Sequence, residues 1–131
     1  MSAIDVTGEE FEALITKPGT VLVDFWAAWC GPCRQFAPIY EAASIKYPEI
    51  TFAKVDSDAE QQLSAAAGIS SIPTLMIFRD GILIFSQPGA LPAPALDEII
   101  GKVQELDMDG IRKQMAEESN KTSSSSESSQ S

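Results

Sequence analysis

Apolar positions in the first half of the chain follow two different periods. A capping box at residues 7–10 precedes apolar residues at helical spacing, which predicts a first helix that ends at Pro18-Gly19. Residues 21–26 form an apolar, β-branched and aromatic run with a single polar residue, Asp24, which predicts a central strand buried on both faces. From Cys33 onward, apolar residues recur at helical spacing and predict a helix that Pro38 would kink and Pro48 would end.

The second half of the chain alternates strand-like and helical segments. Residues 50–56 are predicted as a strand and residues 60–67 as a short helix that ends at Gly68, so part of the sheet should be parallel. Asp80-Gly81 separates two further strand-like runs and predicts a tight antiparallel hairpin. Apolar residues at helical spacing over residues 92–106 predict a last amphipathic helix. The predicted fold class is therefore α/β, with a central mixed sheet flanked by helices.

The apolar pattern of the core ends near Leu106, and the rest of the chain differs in composition. We predict one domain over residues 1–107 and a short helical extension over residues 108–118, supported by Ile111 and Met115. Residues 119–131 are dominated by serine and have no apolar anchor, so we expect a disordered tail. That tail could be a tether, a modification target or a spacer, or it could have no role.

Composition narrows the classes of partner. A chain of 131 residues, 44% of them hydrophobic, is long enough for one globular domain and too short for two ordinary ones. Its net charge of -10 would repel phosphate backbones and anionic lipids, so nucleic acid and membrane surfaces are not expected partners. With no long apolar run and an acidic start, the chain is expected to be cytoplasmic, and we expect a monomer.

The two cysteines lie together in Cys30-Gly31-Pro32-Cys33, where the predicted helix opens. Helix neighbours three apart have Cβ atoms about 5–6 Å apart, so a small movement converts two such thiols into a disulfide. Cys30 would sit at the helix N-terminus, where amide groups and the dipole favour a thiolate nucleophile. Cys33, one turn inside and less exposed, would be the resolving thiol. Pro32 suits the first helical turn, and Gly31 leaves the sulfur open.

The cysteine pair could instead be structural, zinc-binding or incidental. A structural disulfide would gain little stability, because only two residues lie within its loop. A zinc site would need about four ligands, and the chain has no other cysteine and no histidine, so it would have to be shared between two chains. Two incidental core cysteines would not need the flanking Gly31 and Pro32. The spacing alone also leaves the direction of electron transfer undecided.

Asp24 interrupts an apolar run that should be a buried strand, where an unpaired carboxylate is costly. Desolvation would raise its pKa and let it exchange a proton with a nearby thiol, for which Cys33 is the natural candidate. Lys54, in the next predicted strand, is a candidate for the cation that moderates Asp24. A buried structural pair without a chemical role is the alternative for both residues.

The sequence around these residues resembles the thioredoxin family. The resemblance covers about residues 4–106 and rests on Asp24-Phe25-Trp26-Ala27-Ala28-Trp29-Cys30-Gly31-Pro32-Cys33 followed by Ile72-Pro73-Thr74, with Pro38, Lys54, Asp80-Gly81 and Gly89-Ala90 in the family's order. It implies the family's mixed sheet and the reduction of disulfide-containing protein substrates. It also implies that no cofactor is bound and that electrons come from an NADPH-dependent flavoprotein, thioredoxin reductase.

The resemblance further implies how substrates dock. Ile72-Pro73 should be a cis peptide that faces the cysteines and presents backbone groups to an extended substrate segment. The implied docking face consists of Trp29, Gly31, Pro32, Ile72, Gly89 and Ala90. We expect Trp29 to be exposed and Trp26 to pack beside the active-site turn. The chain departs from the common family pattern at Ser71, at Gln87-Pro88 and after Leu106, which bears on the choice of reductase and substrates.

Two rival functions remain at this point. A related enzyme could work in the opposite direction, as an oxidant or isomerase, although the Gly31-Pro32 dipeptide and the acidic start of the chain disfavour it. A binding or holdase module could instead use the docking face without turnover.

Overall fold

Five strands and five helices make up the described part of the chain in this computed structural model, which covers the backbone of residues 3–130 and the side chains of residues 3–120. In chain order they are β1 (Ile4–Asp5), α1 (Gly8–Ile15), β2 (Thr20–Trp26), α2 (Gly31–Lys46), β3 (Thr51–Asp56), α3 (Gln61–Ala66), β4 (Thr74–Arg79), β5 (Ile82–Pro88), α4 (Ala93–Gln104) and α5 (Met108–Gln130). Apart from β1 and the length of α5, these elements match the predicted ones closely.

The strands form one mixed sheet with the order β1-β3-β2-β4-β5. Strand β2 lies in the centre, parallel to β3 and antiparallel to β4, so that Asp24 is opposite Lys54 on one side and Leu75 on the other. Strands β4 and β5 form the predicted hairpin, and both Asp80 and Gly81 have positive φ there, at 52° and 81°. The predicted mixed sheet is confirmed.

Alternate residues of β2 serve two separate cores, because successive side chains of a strand point to opposite faces. Leu22 packs on the face covered by α2 and α4, in a cluster with Phe36 and Ile100. Val23 and Phe25 pack on the other face, where α1 contributes Leu14. Residues 21–25 are all buried, which confirms the predicted central strand.

Two short segments show how local sequence starts the helices. At α1, the Thr7 backbone N–H donates to Glu10 Oε1 at 3.0 Å, as the capping box predicts. At α2, Cys30 is the N-cap residue and Pro32 lies in the first turn, where no intrahelical acceptor exists for an N–H. Helix α2 continues through Pro38 and ends at Lys46, before Pro48.

The end of the domain opposite the cysteines holds the C-terminal helix. Arg79 Nη1 donates to the carbonyl of Val103 at 2.6 Å and so ties β4 to the end of α4. Met108 at the start of α5 is buried, and Arg112 pairs with Asp80 of the hairpin at 3.4 Å.

Helix α5 is longer than the sequence predicts. It runs through the expected extension 108–118 and also through most of the segment expected to be disordered, while Ser131 lies outside the described residues. The side chains from Arg112 to Asn120 are exposed, so the helical backbone bonds form there without a packed face. The expectation of disorder rested on that missing apolar face. The division into domain, extension and tail stays a prediction.

Within the described residues, no helix combines the length and apolar character needed to cross a bilayer.

Candidate active site

The two cysteines lie where β2 has ended and α2 begins. Cys30 caps α2 in an extended conformation, and its Sγ accepts a hydrogen bond from the Cys33 backbone N–H at 3.2 Å. A disulfide joins the two residues, whose Cα atoms are 5.2 Å apart. Because Cys30 stands at the helix N-terminus, its sulfur lies at the positive end of the dipole, which favours a thiolate after reduction.

The two sulfurs have different surroundings, although the residues are similarly buried. Cys30 is 4% exposed and Cys33 is 3% exposed, so the expected difference in exposure is barely present in the disulfide form. Cys30 Sγ lies 3.7 Å from the carbonyl oxygen of Ile72, in the loop before β4. Cys33 instead lines a small cavity together with Asp24, and the exposed residues Ala28, Arg34 and Ala37 also line it. One cysteine therefore faces a loop at the surface and the other faces a buried carboxyl group.

We call this space the inner cavity, and it has a volume of about 120 Å³. It is lined by Asp24, Trp26, Ala27, Ala28, Cys33, Arg34, Ala37 and Lys54. A water molecule takes up roughly 30 Å³ in the liquid, so the cavity has room for water between Asp24 and Cys33.

Asp24 is buried in the centre of the sheet and is 3% exposed. Its Oδ1 has no hydrogen-bond partner among the described residues. Burial raises the pKa of Asp24 to about 7, and the positive charge of Lys54 opposes that rise. A carboxyl group with this pKa can both accept and return a proton near neutral pH.

Lys54 stands opposite Asp24 in the β2–β3 register, yet its ammonium does not pair with that carboxyl group. Lys54 Nζ lies over the ring of Trp26, 5.4 Å from the ring centroid, and the described side chains show no ion pair between Lys54 and Asp24. Sequence reasoning placed the cation in the right strand but did not predict its contact with Trp26.

The residues of the implied docking face meet around Cys30. Trp29 is 68% exposed, and its Nε1 donates to Asp58 Oδ2 at 2.9 Å. The Ile72-Pro73 peptide is cis, as the resemblance implies. The Gly89 backbone N–H donates to the Pro73 carbonyl at 2.8 Å, which places Gly89 and the adjoining Ala90 beside this loop. Gly31 and Pro32 lie on the turn between the two cysteines.

Sequence reasoning missed two further residues near the site. Asp58 holds the indole of Trp29, but an aspartate in a loop carries no signal for such a contact. Tyr40 is fully buried on α2, two turns after Cys33, and its hydroxyl donates to the Ala53 carbonyl at 2.7 Å. Burial raises the pKa of Tyr40 well above its usual value, so the phenol stays neutral at physiological pH.

The described side chains contain no group of three or more His, Cys, Asp or Glu residues arranged to hold a metal ion. The zinc site considered from the sequence would have to be shared between two chains, and the disulfide accounts for both cysteines without it.

The chain matches the family model described as Thioredoxin over residues 2–102. Among curated proteins it is 51% identical over 117 residues to "Putative thioredoxin 2" of Streptomyces coelicolor. The aligned region covers 89% of this chain and 87% of that relative. It is also 37% identical over 103 residues to the thioredoxin of Bacillus subtilis. That alignment covers 78% of this chain and 98% of the relative.

Solved structures show the same fold. The chain superposes on the thioredoxin of Plasmodium falciparum with a TM-score of 0.70 at 36% identity, covering 76% of this chain and 97% of the other. A mutant thioredoxin from Halobacterium salinarum gives a TM-score of 0.74 at 33% identity, with coverage of 80% and 93%.

Thioredoxins are protein-disulfide oxidoreductases that use their own redox-active disulfide, need no bound cofactor and are in general reduced by thioredoxin reductase. In this chain the disulfide between Cys30 and Cys33, at the N-terminus of α2, is that redox centre. The chain therefore belongs to the thioredoxin family and is a protein-disulfide oxidoreductase.

Proposed function

We propose that this chain is a cytoplasmic, monomeric reductase of protein disulfides in which Cys30 is the nucleophile, Cys33 the resolving thiol and Asp24 the proton acceptor for Cys33. The observation that carries the proposal is the difference between the two sulfurs. Cys30 faces the Ile72 loop, while Cys33 shares the inner cavity with a carboxyl group whose pKa is about 7.

In the first step the Cys30 thiolate attacks one sulfur of the substrate disulfide. The substrate S–S bond breaks as the bond between Cys30 Sγ and that sulfur forms. The second substrate sulfur leaves as a thiolate and takes a proton from solvent. The helix N-terminus supports this step because it stabilises the Cys30 thiolate at neutral pH.

In the second step Cys33 resolves the mixed disulfide. Its thiol proton passes to the Asp24 carboxylate, directly or through water in the inner cavity, and the resulting thiolate attacks Cys30 Sγ. The bond from Cys30 to the substrate breaks as the Cys30–Cys33 disulfide forms, and the substrate sulfur that was bound to Cys30 leaves as a thiolate that takes a proton from solvent. Asp24 then releases the proton of Cys33 to solvent. The substrate has then gained two electrons and two protons, and this chain has lost two electrons.

The docking face positions the substrate for these steps. Trp29 supplies an exposed aromatic surface, and Pro32 lies on the exposed side of the active-site turn. Gly89 and Ala90 are exposed beside Pro73. We propose that an extended substrate segment lies along the Ile72 loop, with its disulfide over Cys30.

An NADPH-dependent thioredoxin reductase would return two electrons to the Cys30–Cys33 disulfide. This part of the proposal rests on the family's general use of such a reductase. The departures at Ser71 and at Gln87-Pro88 lie next to the docking loop, so they would influence which reductase and which substrates bind.

The assignment of roles is tested by trapping the mixed disulfide. Cys33→Ser incubated with insulin should accumulate an insulin adduct through Cys30, detected by mass spectrometry under non-reducing conditions. The matched variant Cys30→Ser should accumulate far less adduct. Equal or greater trapping by Cys30→Ser would reverse or remove the proposed roles.

The direction of electron transfer needs its own measurement. The reduction potential, obtained by equilibration with glutathione buffers, should be close to or below that of the cytosolic glutathione pool. A potential well above that pool would favour the oxidant or isomerase.

A further inference from the structure

Two residues form the wall between the inner cavity and a second, outer cavity of about 370 Å³. The outer cavity is lined by Asp5, Val6, Thr7, Trp26, Lys54, Asp56, Ala59 and Glu60. Trp26 and Lys54 are the two residues that line both spaces. Lys54 therefore borders one space with the buried carboxyl group of Asp24 and another with the carboxyl groups of Asp5, Asp56 and Glu60.

The ammonium pairs with none of these carboxyl groups in the described part of the chain. It lies over the Trp26 ring instead, 5.4 Å from the centroid. A cation within about 6 Å of the face of a Trp ring is attracted by the ring's quadrupole, more strongly where water is excluded. Among the described side chains, the indole is the contact that the ammonium makes.

We propose that Trp26 is a positioning residue that holds the Lys54 ammonium at the wall between the two cavities and keeps it from pairing with the Asp24 carboxylate. This inference rests on the proposed role of Asp24 as proton acceptor. An opposite charge within about 4–6 Å typically lowers a carboxyl pKa by 1–3 units. If Lys54 closed on Asp24, the carboxylate would become too weak a base to take the proton of Cys33.

Two cations line the inner cavity, the exposed Arg34 and Lys54, and among the described side chains Lys54 is the one that lies over the indole. On α2, Cys33 and Arg34 line the inner cavity, and the nearby phenol of Tyr40 is neutral. On β4, the residue opposite Asp24 is the apolar Leu75. In the oxidised protein Cys33 does not titrate, so Asp24 can be followed there without a coupled thiol.

The first test uses the unmodified protein. Because a ring current shields protons above an aromatic face, the Lys54 ε-methylene protons should resonate upfield of those of the other lysines in the NMR spectrum. Ordinary lysine shifts for these protons would overturn the proposal, whatever the variants do.

The second test follows the Asp24 carboxyl group by ¹³C NMR as a function of pH in the oxidised protein. Trp26→Leu should lower the pKa of Asp24 by about one unit or more, because Lys54 is then free to approach. Trp26→Phe, the matched control that keeps an aromatic face, should lower it less. A rise, or no change, in Trp26→Leu would contradict the proposal.

A double variant distinguishes an effect of the Lys54 charge on the pKa of Asp24 from an effect of water that enters beside Asp24. In a Lys54→Met background, Trp26→Leu should leave the pKa of Asp24 unchanged. A fall that persists without Lys54 would show that the leucine variant only hydrates Asp24, and would overturn the proposal. These titrations need no turnover, so they stand even if Asp24→Asn shows that Asp24 takes no part in the redox steps.

Discussion

Cys30 Sγ lies 3.7 Å from the carbonyl oxygen of Ile72, a residue 42 positions further along the chain. This contact joins the active-site turn to the loop before β4. Trp29, next to Cys30 in sequence, is exposed and hydrogen-bonded to Asp58 in a third segment. The surface around Cys30 is therefore assembled from three separate parts of the chain.

Trp29→Ala should weaken the reduction of protein disulfides, because it removes the largest exposed apolar side chain beside Cys30. An aromatic residue central to an interface is commonly worth more than about 1 kcal/mol, so kcat/KM for insulin should fall about tenfold. Measured with 5,5′-dithiobis(2-nitrobenzoate), a small disulfide that needs no docking face, the rate should change little. Equal losses for both substrates would place Trp29 in the chemistry instead of in docking.

Asp24→Asn should remove a pH dependence of stability. The pKa of Asp24 is about 7 in the folded protein and near 3.8 when unfolded, so the folded state holds an extra proton between these values. The wild-type protein should therefore lose up to about 4 kcal/mol of unfolding free energy as pH rises through this window. Below pH 3.8 the difference in unfolding free energy between the two proteins should no longer change with pH.

Denaturant unfolding of the oxidised proteins from pH 4 to pH 8 measures this difference. The other carboxyl groups are the same in both proteins, so their contributions cancel. The gap in unfolding free energy should move in favour of Asp24→Asn as pH rises. Parallel curves would show that Asp24 titrates with an ordinary pKa.

Truncation should separate the two parts of the C-terminal segment. Removing residues 119–131 should change the free energy of unfolding by less than about 0.5 kcal/mol, because the side chains preceding the cut are already exposed. Removing residues 108–131 also removes buried Met108 and should cost about 1.5–3 kcal/mol. Thermal unfolding of both truncated forms beside the full chain provides the measurement, and a large loss from the shorter deletion would show that the tail packs on the domain.

The elements predicted best from sequence are those in which local pattern and burial agree. Strand β2 is apolar at most positions because both of its faces are covered, and Asp80-Gly81 specifies the hairpin through its positive φ angles. Strand β1 was not predicted, because a strand of two residues is too short to show an alternating apolar pattern. It exists only through pairing with β3, where Ile4 lies opposite Ala53.

The site was predictable where chemistry leaves a mark on local sequence. The paired cysteines and the carboxyl group of Asp24 inside an apolar strand are such marks. The contact of Lys54 with Trp26 and the bond from Trp29 to Asp58 depend on how side chains meet after the sheet and loops assemble. Nothing in the local pattern encodes these contacts.

The most direct test of disulfide reduction by this chain is an insulin assay with NADPH and a thioredoxin reductase, run beside Cys30→Ser and repeated with dithiothreitol as the electron source. We expect turnover with both electron sources and its loss in Cys30→Ser. Turnover with dithiothreitol alone would contradict the proposed electron donor. Undiminished turnover by Cys30→Ser, or none by the wild-type protein with either source, would contradict disulfide reduction through Cys30 and Cys33.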